Sequence, residues 1–303
     1  MSHRIMVPVV DPETGSDLIR MAAASAHAHE DENAEVMAVN VIKVTQQTIL
    51  SREPEFEAEH IKQRRALLSS ARDIVSEFNV GLRTREIVGR NAGSAVLKII
   101  KEENVDHVLL HWNGTRSVRN YVLGSSIDPV VGRASCDVTL VTFGPEGDWS
   151  DSVLVLVGQG PHTPIAARRG AEFATKGKLG FLNVQEPDHT DDNHSPEGRR
   201  GDIIETLIAE TGVMETFVKN AEELCIERSV AVTADIEQAI LTHASEYDTI
   251  CIGAPRSGPV ARAIFGSLPE TISEKANCTV VTAHGTDGLP MSVREAIVRQ
   301  LKI

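Results

Sequence analysis

The chain repeats itself, and that repetition limits its folds more than any other feature. An offset of 142 places Gly124 on Gly266, Asp106 on Asp248, Ser125 on Ser267 and Cys136 on Cys278. The run DHVLLHW then lies on DTICIGA. Nearer the start, RIMVPVV (Arg4–Val10) lies on SVLVLVG (Ser152–Gly158) at an offset of 148. Self-similarity at fixed anchors means that one supersecondary unit is built twice. Each half has to bury its own core. The 303 residues and 41% apolar composition allow two domains of ordinary size.

Each half alternates short apolar runs with helical periodicity. IMVPVV, EVMAVNVI, LRTREIV, HVLLHW and VTLVTF read as strands, and so do VLVLV, LGFLNV, CIERSVAV, TICIGA and TVVTA. Between them lie helices: GSDLIRMAAASAHAHE with Ser16 as N-cap and Leu18, Ile19, Ala22, Ala23 and Ala26 on one face, a long helix around Phe56–Phe78, and SAVLKIIKEEN. The second half supplies TPIAARRGAEFA, a stretch over about 202–221, and IEQAILTHA. Strictly alternating β and α elements give a parallel sheet with helices on both faces. The fold class is therefore α/β, two repeated doubly wound domains over residues 1–144 and 151–284. FGPEGDWSD is the linker. Residues 285–303 form a helical tail with a helix start at Ser292-x-x-Glu295.

Charge and cysteines exclude several classes. Acidic residues outnumber basic ones in both halves, and the net charge is −13, which argues against a nucleic-acid surface. The four cysteines form no CxxC pair, so no zinc or dithiol motif is read; Cys136 and Cys278 are expected to be packing residues. No run approaches a membrane span and the first ten residues do not read as a signal peptide, so a cytoplasmic protein is expected.

In both halves a Gly-Ser pair opens a helix after a strand end and a loop. Ser267 with Glu270, and Ser125 with Asp128, have capping-box spacing, and Pro269 and Pro129 suit a first turn. The same geometry seats anions, because a helix N-terminus presents free N–H groups and partial positive charge. Arg256 and Arg262 lie in the second loop, Arg116 and Arg119 in the first. VGQGPHTP carries Gly158 and Gly160, but Thr163 stands where a dinucleotide fingerprint needs a third glycine, so a tight turn is expected instead of an NAD site. His189, Asp191, Asp192 and His194 share a polar loop, Pro187–Gly201, that reads as a disordered insertion; no metal site is assigned. His27 and His29 cannot share a helix face, and His107, His162, His243 and His284 show no triad spacing, so no catalytic residue is assigned.

These elements together resemble the universal stress protein family, written twice. Its nucleotide-binding members carry Gly-x2-Gly-x9-Gly-Ser/Thr. In the second half Gly253, Gly266 and Ser267 fit that motif and Arg256 replaces the middle glycine. In the first half Gly114, Gly124 and Ser125 fit and His111 replaces the first glycine. The family's Asp after the first strand is Val10 here, with Asp11 one place late, and Gly158 in the second half. The resemblance implies a Rossmann-like, adenine nucleotide alpha hydrolase-like fold. It implies ATP or AMP held in the second domain by Gly253, Arg256, Gly266, Ser267, Leu268 and Gly158, with Mg2+ only alongside ATP. A weaker first-domain site would use Gly114, Gly124, Ser125 and Ser126, where His111 is expected to crowd the ligand. It also implies pairing, as a homodimer or between the two halves. The alternatives are a nucleotide-free regulatory module, like the soluble parts associated with amino-acid transporters or a signalling partner, and slow ATP hydrolysis.

Overall fold

A computed structural model of the chain describes residues 3–9, 12–29, 33–43, 54–89, 91–112, 127–145, 149, 152–158, 160–187, 196–221, 225–254 and 268–286. The chain divides into two compact units, Met1–Leu140 and Val141–Ile303, with the boundary inside one strand.

The first unit runs β1 (Arg4–Val9), α1 (Pro12–Ala28), β2 (Glu35–Lys43), α2 (Pro54–Ser76), β3 (Gly81–Gly89), α3 (Ala92–Glu102), β4 (His107–His111), α4 (Ile127–Arg133) and β5 (Asp137–Thr142). Its strand order is β3-β2-β1-β4-β5. The second unit runs β6 (Ser152–Leu156), α5 (Thr163–Phe173), β7 (Lys178–Gln185), α6 (Pro196–Thr211), α7 (Val213–Asn220), β8 (Cys225–Val232), α8 (Ile236–Ala244), β9 (Thr249–Gly253), α9 (Leu268–Lys275) and β10 (Thr279–His284). Its order is β8-β7-β6-β9-β10, the same topology. The pairs β1–β2, β1–β4 and β2–β3, like β6–β7, β6–β9, β7–β8 and β9–β10, are parallel. The doubly wound α/β fold expected from the alternation is what the chain adopts.

Strand registers confirm the duplication residue by residue. Ile5 pairs with His107 in the first unit and Val153 with Thr249 in the second, which reproduces both sequence offsets. The anchor aspartates have one job in each copy. The Asp106 amide donates to the Arg4 carbonyl and the Asp248 amide to that of Ser152. The Asp106 carboxylate takes the Arg4 amide at 2.8 Å, and the Asp248 carboxylate takes the Ser152 hydroxyl at 2.7 Å. Each aspartate thus ties the start of the first strand to the start of the fourth.

The central strands are buried on both faces, as their unbroken apolar runs require. Met6, Met37, Val39, Val108 and Leu110 pack with Val96, Ile99 and Val130 in the first unit. Leu154, Leu182, Ile250 and Ile252 pack with Ile240, Ala244 and Ile272 in the second. Cys136 and Cys278 belong to these cores, so their packing role holds.

Several element boundaries differ from expectation. Ser16 is not the N-cap of α1, which begins at Pro12; Leu18, Ile19, Ala22, Ala23 and Ala26 are buried, but so are Met21, Ala24 and Ser25. The helix expected at Ser94 starts at Ala92, because the Asn91 side chain accepts the Ser94 amide at 3.0 Å and caps it. Asp235 caps α8 in the same way through the Gln238 amide. The stretch expected over 202–221 is two helices, and the first reaches back to Pro196, so 196–201 are helical instead of part of a loop insertion. Gly212, at φ +65°, separates them in the left-handed region that glycine enters without steric cost. The tail from 287 onward lies outside the described residues.

Candidate functional site

In an open α/β sheet the strand order reverses next to the first strand, and the helices on either side of that point diverge. A crevice opens there at the carboxyl ends of the strands. Both units have one. In the second unit it is a cavity of about 160 Å³ beyond the ends of β6 and β9. Leu156, Val157 and Gly158 form one wall, Ile252 and Gly253 another, and Ile236 and Ile240 of α8 a third. Leu268 and Pro269, the first two residues of α9, and His162 and Thr163, at the start of α5, complete the mouth. The fold therefore gathers Gly158, Gly253 and Leu268, which lie far apart in sequence. Arg256, Gly266 and Ser267, and in the first unit Gly114, Gly124, Ser125 and Ser126, lie outside the described residues. So do His189, Asp191, Asp192 and His194.

The two described glycines have different reasons to be glycine. A Cβ at Gly253 would overlap the His162 carbonyl, so no side chain fits unless α5 moves. A Cβ at Gly158 would meet nothing closer than 3.9 Å. Thr163 explains the turn that follows. Its hydroxyl donates to the Gly158 carbonyl at 2.9 Å and accepts the Gly158 amide at 3.3 Å. The residue that breaks the dinucleotide fingerprint is thus the clasp that closes the tight turn. Behind it, Asn183 Nδ2 donates to the Val157 carbonyl at 2.7 Å and holds the end of this wall. The described walls are apolar apart from Thr163 and the His162 imidazole, and no carboxylate or guanidinium lines them.

The first unit has the matching cavity, about 190 Å³, lined by Pro8, Val9, Thr14, Gly15, Leu18, Ala92, Val96, Leu110, His111, Ile127 and Val130. At the offset of 142 Leu110 answers Ile252 and His111 answers Gly253, and, counted from the helix N-caps Asn91 and Asp235, Val96 answers Ile240. His111 lines this cavity at the end of β4. The two mouths differ by an exchange. Where the second unit sets His162, just before α5, against Gly253 on the strand, the first lines its cavity with Thr14 of α1 and His111 of β4. Each mouth therefore holds one imidazole, delivered from opposite elements. His162 and the α8 isoleucines were not picked out from sequence as part of the site; the signal was present in their repeat-equivalents, Thr14, Ala92 and Val96.

The profile of the universal stress protein family matches residues 1–142 and again residues 150–284. The chain belongs to the universal stress protein family, as a tandem of two copies. Among solved structures, it is similar to a universal stress protein from Archaeoglobus fulgidus DSM 4304, with 15% identity over 94% of this chain and 97% of that one, and a TM-score of 0.56. It is similar also to the cytoplasmic domain of a prokaryotic cation chloride cotransporter, with 10% identity over 97% of this chain and 100% of that one, and a TM-score of 0.52. A universal stress protein in complex with cAMP matches 46% of this chain and 96% of its own at 19% identity, with a TM-score of 0.36. No curated protein sequence matches this chain. These structural likenesses are likenesses of fold. Among the described residues of this tandem universal stress protein, no helix is long and apolar enough to cross a membrane, and no group of three or more His, Cys, Asp or Glu side chains could hold a metal ion.

Proposed function

We propose that this tandem universal stress protein binds an adenine nucleotide, ATP or AMP, in the strand-end cavity of its second unit and acts as a nucleotide-responsive regulator. The observation that carries the reading is the meeting of Gly158, Gly253 and Leu268 around one apolar cavity at the switch point of the sheet. A volume of about 160 Å³ is below the range for a whole drug-sized ligand, so the cavity takes the planar base and leaves the phosphates at the mouth. There α9 opens with its unpaired N–H groups, and Gly266, Ser267 and Arg256 precede it in sequence. Mg2+ would come only with the triphosphate. In the first unit, His111 in place of glycine favours weaker binding or none.

Native mass spectrometry and calorimetric titration of the full chain with AMP and ATP test this. Gly158→Val adds a side chain with ordinary space at its Cβ, so the fold tolerates it while the cavity wall grows. The expected result is one nucleotide per chain, lost in that variant. Absence of binding by the unmodified chain, or binding that ignores the variant, refutes the placement. The second reading, a nucleotide-free interaction module, draws on the likeness to a transporter's cytoplasmic domain. A clean apoprotein that takes up no nucleotide favours it.

A further inference from the structure

The largest concavity of the three is not at the strand ends. It is a groove of about 380 Å³ in the first unit between α2 and the edge strand β3. Arg65, Leu68, Ser69 and Arg72 line it from the helix, spaced i, i+3, i+4, i+7, which is one helix face. Leu82, Thr84 and Glu86 line it from the strand, spaced i, i+2, i+4, which is one strand face. Leu68 is buried and Leu82 half-buried, so the floor is apolar, while Ser69 and Thr84 are exposed hydroxyls beside it. Arg65 Nε reaches Glu86 across the groove at 3.2 Å, with side chains 64% and 41% exposed. A pair that open to solvent is weak and yields to a better ligand. Arg72 is exposed and has no ion-pair partner among the described residues. Arg85 contributes to the lining, but its guanidinium is held by Glu103 at 2.5 Å and Glu102 at 3.2 Å. Asp73 follows Arg72 and is turned about 100° around the helix from it.

Among its described residues the second unit does not repeat this. Its bridge from helix to edge strand has the opposite sense, Glu205 on α6 and Arg228 on β8 at 2.7 Å, and the strand then presents exposed Val230, at the position of Glu86, and Val232. Among the described residues, this basic, hydroxyl-lined groove is found in the first copy, on a chain of net charge −13. Long-range attraction does not bring anions to such a chain, so the groove has to work by short-range forks. Arg65 and Arg72 stand about 10 Å apart along the helix, and both side chains are long enough to converge on one multivalent anion.

The geometry points to a binding site for a small polyphosphate in this groove, with Arg65 and Arg72 as its two forks, Ser69 and Thr84 as hydroxyl donors, and Glu86 displaced from Arg65 on binding. The site is separate from the strand-end cavities and does not depend on nucleotide binding there. Tripolyphosphate is the probe, titrated into the full chain at about 50 mM salt, where screening is modest. Binding is followed by calorimetry and by phosphorus NMR. Arg72→Glu and Arg65→Glu are surface changes, and unchanged unfolding curves verify their fold. Loss of one charge-assisted contact and gain of a repulsive carboxylate weaken binding about tenfold or more in each. Arg133→Glu, an equal charge change at an exposed site on α4, leaves it within about twofold, and citrate binds more weakly than tripolyphosphate. No saturable binding, an equal loss in Arg133→Glu, or citrate binding as tightly as tripolyphosphate overturns the proposal.

Discussion

Arg169 and Glu172 of α5 form an ion pair whose side chains are only 4% and 1% exposed, one helical turn apart against the second unit's sheet. The repeat-equivalent residues of the first unit are Met21 and Ala24, both fully buried, so the fold does not require charge there. Glu172→Leu takes a close ion-pair partner from a buried guanidinium, and Arg169→Met takes one from a buried carboxylate. Breaking a buried pair from one side costs about 3–5 kcal/mol, whereas replacing both partners with apolar residues of similar volume is neutral or stabilises by about 1–4 kcal/mol. Against a domain stability of about 5–15 kcal/mol, each single change is severe and the double change mild. Trp149 provides the assay. It is buried and packs edge-on against Phe173 of α5 at 6.2 Å, so its fluorescence reports this unit. The chain's other tryptophan, Trp112, is changed to Phe in the background protein. With a urea slope of about 2 kcal/mol/M, each single variant lowers the midpoint by about 1.5–2.5 M, and the double variant sits at or above the parent. Singles that shift the midpoint by less than about 0.5 M, or a double no better than the singles, would refute the reasoning.

Three further outcomes follow from the same structure. Asn40 is fully buried and neither its amide N nor O has a partner among the described residues, while its equivalent Asn183 bonds to the Val157 carbonyl; Asn40→Val should therefore stabilise the first unit by about 1–2 kcal/mol and Asn183→Val destabilise the second by a similar amount, read from Trp112 and Trp149. Glu227 has its pKa lowered from 4.5, mainly by the Tyr247 phenol at 2.6 Å, with Lys178 assisting. A depressed carboxylate contributes stability above its unfolded pKa and loses it as pH falls through the folded one, so the second unit should weaken below about pH 4.5 and Glu227→Gln should flatten that dependence in acid titrations. Cys225 is exposed, whereas Cys136, Cys251 and Cys278 are buried and burial pushes the Cys278 thiol up to about 11; brief alkylation of the folded protein, read by mass spectrometry, should label Cys225 alone, and labelling of Cys278 would show that β10 opens readily.

The strand segments, the topology and the duplication were legible in the sequence because they rest on local chemistry. A run such as HVLLH or TICIG has to be buried on both faces, and Asp106 and Asp248 mark one joint in each copy. Of the candidate site, Gly253 was legible as a place of close approach, expected toward a nucleotide, whereas what the structure sets against it is the His162 carbonyl. Other features were not available to any local pattern. Arg168 and Arg169 are adjacent and identical, yet one is exposed and the other buried, and only the packing of α5 on the sheet separates them. Asn40 and Asn183 are the same residue at the same repeat position, and whether each finds a partner depends on a neighbouring strand end. The exchange of imidazoles between helix and strand at the two cavity mouths is of the same kind. So is the groove of Arg65 and Arg72, which needs α2 to lie against the edge of β3. Burial periodicity and turn chemistry are properties of a few neighbouring residues, and the chain alone determined them. Which polar groups meet, and which cavities stay open, depends on distances between residues tens to hundreds of positions apart, and the tertiary structure decided those.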